Sequence, residues 1–226
     1  MTWHSQPVSA ADLEWINTTP GLLFFDVNTN WNPVNAPDGA DNVLFNLDET
    51  LTIVIGAPSS ANNFRVTAGD WTFTGGSGTS LATGGEVFIN DASMLTGATA
   101  TITGTSTWDN VGNAFIGDTG LGTLNVSNDA AFRAENVFIG DDAGSIGVVN
   151  VDGPGSLLTA DATGAGNGLF IGFEGTGTLN VTNGGTARTL DVSGIPDFLI
   201  GYETGSEGTL NIDGAGSLAV AEDMFV

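Results

Sequence analysis

The sequence contains no cysteine and no lysine, and its basic side chains besides one histidine are Arg65, Arg133 and Arg188. Without cysteine, the chain has no disulfide framework and no thiolate metal site. Its 26 acidic residues leave a formal net charge of -23 at pH 7. Because phosphate backbones and anionic lipids repel such a chain, we expect no nucleic-acid partner, and divalent cations are its natural counter-ions.

Long apolar runs are also missing. No run approaches the roughly 18 residues that a membrane-spanning helix needs, so we expect no membrane span. Residues 1–15 lack a basic segment followed by an apolar core, so we do not expect them to act as a signal peptide. Hydrophobic residues still make up 41% of the chain, which favours a folded protein over a disordered acidic one.

The chain does contain similar segments that recur at intervals of 23 to 32 residues. A period of about 20 to 50 residues is typical of stacked repeat proteins. Weaker copies precede the clear ones, at Ile89 and at Asn62–Val66. The clear copies are "AFIGDTGLGTLNVSN" from Ala114, "VFIGDDAGSIGVVNVDG" from Val137, "LFIGFEGTGTLNVTNGG" from Leu169 and "FLIGYETGSEGTLNIDG" from Phe198. Their aligned isoleucines are Ile116, Ile139, Ile171 and Ile200.

Each copy holds three short extended pieces, separated by glycine, asparagine and aspartate turns. In "TLNV", Leu179 and Val181 face one side, and Thr178 and Asn180 the other. Such pieces cannot form a core alone, whereas stacking them about 4.8 Å apart buries a continuous column. We therefore predict an all-β fold, a parallel β-helix (β-solenoid) with three short strands per coil and roughly six coils. An antiparallel sandwich is the alternative, and it does not explain the recurring pieces.

Two regions follow from the pattern: an N-terminal capping segment over residues 1–45 and solenoid repeats over 46–226, clearest from residue 114. Only residues 9–16 have a pattern compatible with a short helical turn. Tryptophans near a solenoid end seal its core, and we favour that role over a platform for sugar rings, above all for Trp15 and Trp31. All five tryptophans lie in the first half of the chain: Trp3, Trp15, Trp31, Trp71 and Trp108.

The segment "IGFEGTGTLNVTNGG", Ile171–Gly185, resembles the repeat of bacterial type V secretion (autotransporter) passengers and of PEP-CTERM-associated surface proteins. "NWNPVNAPDGADNVLF", Asn30–Phe45, is similar to the N-terminal segment of such solenoids. The resemblance implies a β-helical, extracellular module at the cell surface, with a structural or adhesive role. It transfers no catalytic residues and no specific partner. Variable repeat lengths and the missing transporter barrel and sorting segment lead us to expect a fragment, a processed form or a stand-alone member.

Acidic side chains follow each FIG glycine. Stacked carboxylates about 5 Å apart repel one another unless they are screened, protonated or bridged by a cation. One interpretation is a row of Ca²⁺ sites, and the other is a solvated acidic edge, which the missing calcium-binding nonapeptide favours. The residues are Asp118, Asp141, Asp142, Glu174 and Glu203.

A second candidate cation site starts like an EF-hand loop, with Asp26, Asn28 and Asn30 at alternate positions. Trp31 and Pro37 stand where that loop needs glycine and glutamate, so it is not an EF-hand. A looser clip that also uses Asp41 is one reading. The other is a loop in which the side chains cap their own backbone turns.

Two further rows follow from the alignment. Asparagines at one place in four repeats predict a hydrogen-bonded amide ladder. An aromatic and aliphatic row opposite the inward isoleucines predicts an apolar stripe, which is either an interface or partly buried by strand twist or a loop. The ladder is Asn125, Asn150, Asn180 and Asn211, and the stripe is Phe115, Phe138, Phe170 and Leu199.

The last segment, "DMFV", begins another repeat, so Met224, Phe225 and Val226 join the candidate interface. An open strand edge there invites pairing. We therefore expect either truncation or head-to-tail self-association, which can grow into a filament.

We expect an extracellular structural module of a bacterial surface, matrix or filament protein, without a resident cofactor apart from a possible Ca²⁺, and not an enzyme. One alternative is a carbohydrate-binding adhesin that binds a glycan through surface tryptophans. Another is a β-helical glycan hydrolase, because two carboxylates suffice for that chemistry. However, no acidic cluster stands outside the repeat pattern, and His4 is too near the N-terminus to suggest a Ser-His-Asp triad.

Overall fold

The computed structural model describes residues 11–19, 21–90, 97–161, 168–190 and 197–226. These residues form short β-strands joined by turns, with one 3-10 helix at Asn28–Asn30 and no α-helix among them. The strands belong to three sheets, here called A, B and C, that run side by side along the molecule. The described residues contain no helical segment that could serve as a membrane span.

Sheet A contains ten strands. From its N-terminal end they are β3 (Trp31–Asn32), β1 (Asp12–Trp15), β4 (Asn42–Phe45), β7 (Phe64–Val66), β10 (Val87–Ile89), β13 (Ala114–Ile116), β16 (Val137–Ile139), β19 (Leu169–Ile171), β22 (Phe198–Ile200) and β25 (Met224–Phe225).

Sheets B and C contain eight and seven strands. Sheet B runs β2 (Leu23–Phe24), β5 (Thr50–Val54), β8 (Gly69–Thr74), β11 (Ala98–Thr103), β14 (Leu121–Ser127), β17 (Ile146–Asp152), β20 (Thr176–Thr182) and β23 (Glu207–Asp213). Sheet C runs β6 (Ser59–Ala61), β9 (Ser80–Thr83), β12 (Thr107–Asn110), β15 (Ala131–Ala134), β18 (Leu157–Ala160), β21 (Thr186–Thr189) and β24 (Leu218–Val220).

Successive coils contribute one strand to each sheet and pair in parallel, which confirms the predicted β-solenoid. The register is the one that the repeats predict, because Ile139 pairs with Ile171 and Asn150 with Asn180. The solenoid has about seven turns rather than roughly six. The difference arises because β1, β2 and β4, within residues 1–45, already belong to sheets A and B.

The expected helical turn near residues 9–16 is a strand over Asp12–Trp15. Leu13 and Trp15 point into the core from alternate positions, and β1 pairs in parallel with β4. The two-residue period of this segment, completed by its neighbouring strands, therefore prevails over a weak local helical preference.

Large aromatic side chains fill the core at the N-terminal end. Trp15 and Trp31 are fully buried, and their rings meet edge to face at 5.1 Å. Trp31 Nε1 donates to the Phe25 carbonyl oxygen at 2.8 Å, so the buried indole also has its polar partner. Phe45 stacks on Trp15 at 5.6 Å and continues the cluster toward the next coil. These contacts place Trp15 and Trp31 as a cap over the first coils.

Two glycines of the inner repeats occupy places where a side chain has no room. Gly172 follows β19 with φ +73°, and a Cβ there would lie 2.3 Å from the Glu207 carbonyl oxygen of the next coil. At Gly177 a Cβ would lie 2.1 Å from the Gly172 nitrogen and 2.2 Å from the Ile139 carbonyl oxygen. The turn after "FIG" and the start of the sheet B strand therefore lie in direct backbone contact. Only glycine, which has no Cβ, permits so close an approach. The equivalent glycines are Gly117 and Gly140 at the first place, and Gly122, Gly147 and Gly208 at the second. Gly201 shares the positive φ of the first place, but a Cβ there would lie 3.8 Å from the nearest atom.

Candidate functional site

The acidic residues after the FIG glycines form two neighbouring columns rather than one row. The first column contains Asp118, Asp141, Phe173 and Tyr202. The backbone nitrogen of each of the last three donates to the carbonyl oxygen of the FIG glycine one coil before. Asp142, Glu174 and Glu203 belong to the second column, because each of their nitrogens donates to a first-column carbonyl of the preceding coil. Among the four clear copies of the repeat, the first position holds a carboxylate in the coils of Asp118 and Asp141 and an aromatic residue in the next two.

Asp118 and Asp141 form a hydrogen-bonded acid pair. Burial raises the pKa of Asp141 to about 7, and the negative charges of Asp118, Asp142 and Glu174 and the hydrogen bond with Asp118 act in the same direction. One proton shared between the two carboxyls relieves their repulsion. Among the described residues, no group of three or more His, Cys, Asp or Glu side chains is arranged to hold a metal ion. The Ca²⁺ row stays a prediction.

Replacing Asp141 with asparagine is expected to make the free energy of unfolding depend less on pH between 3.8 and about 7. The pKa of this carboxyl is 3.8 by reference and about 7 in the folded chain, so the folded state binds the proton more tightly. Stability is therefore present at low pH and is lost as pH rises from 3.8 to about 7. Above that window the variant should be more stable than the wild type by about 1–2 kcal/mol, after discounting for solvent screening.

Urea unfolding at a series of pH values measures this difference. Asp48→Asn, at an exposed bend on another part of the chain, is the matched control and should follow the wild-type slope. A wild-type-minus-variant difference that stays constant across the window would contradict the shared proton.

The asparagine ladder runs along the outer face of sheet B. Asn150, Asn180 and Asn211 each donate from Nδ2 to Oδ1 of the asparagine one coil before, at 2.8 Å in every case. Asn125 donates onward to Thr101 Oγ1 at 3.0 Å, so the ladder ends on a hydroxyl. The ladder satisfies outward amides that strand pairing alone would leave to water, and it fixes the register of neighbouring coils.

The predicted apolar stripe is a stack of rings on the outer face of sheet A, and it begins one coil earlier, at Phe88. Phe138 and Phe170 stack at 4.6 Å with an angle of 7° between ring planes. Phe173 and Tyr202 lean against the stack edge to face. As a result Phe170 and Leu199 are only 4% exposed, and Phe115 and Phe138 are half-buried. The stripe is therefore partly buried, as the second of the two interpretations expects.

The stack has a charged end at its N-terminal side. The Arg65 guanidinium lies 4.6 Å from the centre of the Phe88 ring, in a cation–π contact. The sequence indicated neither residue as part of the stripe, although "NNFRV" and "EVFIN" are the weaker repeat copies that hold them.

The loop considered as a cation clip is held by its own hydrogen bonds. Asn30 is buried, donates from Nδ2 to the Phe24 carbonyl oxygen at 2.8 Å and accepts from Asn17 Nδ2 at 2.6 Å. Asp26 and Asn28 are exposed. Asn28 begins the short 3-10 helix, and Asp26 lies two residues before it. The side chain of Asn30 therefore already serves the backbone.

Tryptophan does not supply a sugar platform in the described part of the chain. Trp15, Trp31, Trp71 and Trp108 are at most 1% exposed, so none presents a ring face to solvent. Trp3 lies outside the described residues. The adhesin hypothesis based on surface tryptophans is therefore wrong for these four, because the rings are needed to fill the core of the first coils.

A groove of about 810 Å³ lies on the outer face of sheet A at its N-terminal end. The sheet brings together residues far apart in sequence, because β3, β1, β4 and β7 are neighbours in it. Leu44, Pro33 and Arg65 contribute apolar and basic surface. The uncharged and acidic polar lining comprises Asp12, Glu14, Asn32, Asn42, Asn46, Asn63 and Thr67.

Hydrogen bonds between the lining side chains fix their orientation. Asn42 Nδ2 donates to Asp12 Oδ1 at 2.8 Å, and Asn46 Nδ2 donates to Glu14 Oε1 at 2.6 Å. Asn63 Nδ2 donates to Asn42 Oδ1 at 2.9 Å. Each carboxylate keeps a second oxygen, and each donating amide keeps a second N–H. Sequence reasoning missed this groove, and the signal that was available is the alternation of outward polar and inward apolar residues in "DLE", together with the outward Asn42 of β4.

A buried carboxylate holds the chain segment that leads into the groove. Asp41 is fully buried, and its two oxygens accept from the Ala11 nitrogen at 2.8 Å and the Asp38 nitrogen at 3.1 Å. The backbone must pass from β3 across the position of β1 to reach β4, and Asp41 fixes the end of that crossing. The "PDGADN" part of the N-terminal motif therefore has a structural role.

The last coil presents core side chains to solvent. Ile212 is 49% exposed, whereas its partners one and two coils earlier, Val181 and Val151, are fully buried. Met224, Phe225 and Val226 are also exposed, with β25 paired to β22 on one side. This end of the described stack thus has an apolar surface and a strand edge in each sheet.

No family model matches the chain, and no solved structure matches it. The chain is similar to an uncharacterized lipoprotein of Escherichia coli (strain K12), YdeK, with 32% identity over 101 residues. The similarity covers 45% of this chain and 7% of that protein, so the chain spans a small part of the relative's length. What is shown is therefore a β-solenoid repeat module with a lipoprotein among its relatives.

Proposed function

We propose that the chain is an extracellular structural module of a bacterial surface, matrix or filament protein, in which the solenoid presents or spaces other parts. The observation that carries the proposal is the uninterrupted stack of about seven turns in three sheets. Each coil is bonded to the next through its strands, and the asparagine ladder and the ring stack add side-chain contacts between the later coils. A net charge of -23 disfavours non-specific association of such a rod.

The surface location has two supports. The similar E. coli protein is named a lipoprotein, which fits attachment at a membrane or cell surface. The repeats also resemble those of autotransporter passengers and PEP-CTERM-associated proteins. We take both as reasons to place this chain outside the cytoplasm.

A non-catalytic role is part of the proposal. A direct side-chain hydrogen bond joins Asp118 and Asp141, and the pKa of Asp141 is raised. Hydrogen-bonded carboxyls lie closer than the separation of about 5 Å or more that glycoside hydrolysis uses. The pair therefore gives the hydrolase alternative no support.

Self-association stays a prediction, and the two ends differ in how they would take part. The exposed core side chains of the last coil favour pairing with a further β-coil, from a second copy or from a following segment. At the other end, Trp31 seals the core and β3 is a two-residue antiparallel strand, which is a poor template for pairing. A head-to-tail contact would have to open this cap.

Antibody labelling of intact cells of the organism that encodes the chain tests the surface location. We expect labelling of unpermeabilised cells and loss of the signal when external protease is added. A cytoplasmic protein labelled in parallel should react only after permeabilisation. Labelling of this chain only after permeabilisation would contradict the proposal.

A further inference from the structure

We propose that the groove on the outer face of sheet A binds a neutral oligosaccharide, with Asp12, Glu14, Asn42 and Asn46 as the main hydrogen-bonding residues. This inference goes beyond the structural role, since it assigns a ligand class to one surface of the module. It also replaces the tryptophan platform with a polar site in a different place.

The side-chain chemistry matches sugar hydroxyls. A hydroxyl is both a donor and an acceptor, and a site for it needs both kinds of partner close together. Glu14 Oε1 accepts from Asn46 Nδ2 at 2.6 Å, which leaves Oε2 as an acceptor and the second amide N–H as a donor on two residues of the groove lining. Asp12 and Asn42 repeat the arrangement one step along the strands, at 2.8 Å. Two such carboxylate–amide pairs form a regular donor and acceptor array.

The Asp12–Asn42 pair is the better held of the two before a ligand arrives. Asn42 Oδ1 accepts from Asn62 Nδ2 at 3.1 Å and from Asn63 Nδ2 at 2.9 Å, and Asp12 and Glu14 stand on a paired strand. Ordering this pair on binding therefore costs less side-chain entropy, and such ordering is a main cost in weak polar sites.

The size of the groove suits a short oligosaccharide. Its volume of about 810 Å³ lies within the range of small-ligand sites. From Asn32 on β3 to Arg65 on β7 the groove spans three strand spacings, about 14 Å at about 4.8 Å each. Pro33 and Leu44 add apolar surface against which the C–H face of a sugar ring can pack.

Charge selects a neutral ligand. Two carboxylates line the groove on a chain of net charge -23, so a uronic acid or a sulfated sugar would be repelled. Arg65 is the basic residue of the lining, and its guanidinium packs on the Phe88 ring. A protein partner is less suited, because carboxylates and amides stand among the apolar residues of the lining, whereas the core of a protein–protein interface is depleted of charged residues.

The test is titration of the ¹⁵N-labelled chain with hexaoses of glucose, mannose and N-acetylglucosamine, followed by NMR, with hexagalacturonate as the anionic probe. We expect at least one neutral hexaose to shift the backbone amides of β1 and β4 with a Kd of about 1 mM or tighter. Hexagalacturonate should bind at least about tenfold more weakly. The shifted amides locate the site without any variant.

Two variants then assign the residues. Glu14→Gln and Asn46→Ala should each weaken binding about tenfold, the cost of one hydrogen bond that involves a charged group. Asn211→Ala, an exposed asparagine at the far end of the ladder, is the matched control and should bind as the wild type does. The proposal is overturned if no neutral hexaose shifts these amides at about 10 mM, if hexagalacturonate binds best, or if both groove variants bind unchanged.

Discussion

Replacing Gly177 with alanine is expected to destabilise the solenoid by about 3–5 kcal/mol, a loss at the upper end of single substitutions. The added Cβ would lie 2.1 Å from the Gly172 nitrogen and 2.2 Å from the Ile139 carbonyl oxygen. Both contacts are backbone atoms, so no side chain can rotate away to make room. Relief would require the FIG corner to move away from the start of β20, which breaks hydrogen bonds in two coils. Guanidinium unfolding followed by far-UV circular dichroism measures the loss.

Gly76→Ala is the matched control, because a Cβ there meets no atom within 4 Å. That variant should be unchanged or slightly stabilised, by less than about 1 kcal/mol, since alanine narrows the unfolded ensemble. Equal effects at the two positions would show that glycine content, and not the close backbone approach, sets the stability.

Replacing Trp31 with alanine is expected to cost about 3–5 kcal/mol and to act first on the N-terminal coils. The indole is fully buried, contacts Trp15, Phe25 and Phe45 at ring distances of 5.1 to 5.3 Å, and donates one hydrogen bond. Its removal leaves a large cavity under the cap. Because coils contact mainly their neighbours, the damage should spread from that end instead of unfolding the rod uniformly.

Hydrogen exchange read by mass spectrometry separates these two outcomes. Protection should fall in β1, β2 and β4 and remain in β17 and β20. Val34→Ala, at a side chain 66% exposed three residues away, should leave exchange unchanged. Uniform loss of protection along the chain would contradict the proposed capping role.

Much of the fold was predictable because the repeats encode it redundantly. Identical residues at matching places, such as Asn150 and Asn180, specify the register of sheet B without knowledge of the turns. The glycines of "FIG" and "GT" give the same alignment, since both places need glycine for backbone contact. The repeat therefore predicts strand number, direction and facing of side chains in the later coils.

The first coils were harder to predict, because there the repeat gives way to aromatic packing. β1 has two inward residues, Leu13 and Trp15, and no FIG glycine to mark its place. Its assignment depends on pairing with β4, thirty or so positions later, which local pattern does not reveal. The roughly six coils expected from sequence became about seven for this reason.

The candidate sites were predictable to different degrees. The ladder follows from one aligned position, so it needs no three-dimensional information. The split of the acidic row depends on Phe173 and Tyr202 taking the first position in later coils, where ring stacking replaces carboxylate repulsion. The groove combines residues from β1 to β7 across a crossing connection, and no single motif contains them.

The asparagine ladder has a direction. Every amide donates toward the N-terminal end and accepts from the C-terminal side, so the side-chain dipoles of Asn150, Asn180 and Asn211 point the same way and add. Asn211 Oδ1 is consequently an acceptor that faces away from the stack. A coil that follows gains a hydrogen bond only if it brings an amide or hydroxyl donor to this place. The ladder therefore favours, at each added coil, a sequence that places a hydrogen-bond donor at this position and so pairs in the same register.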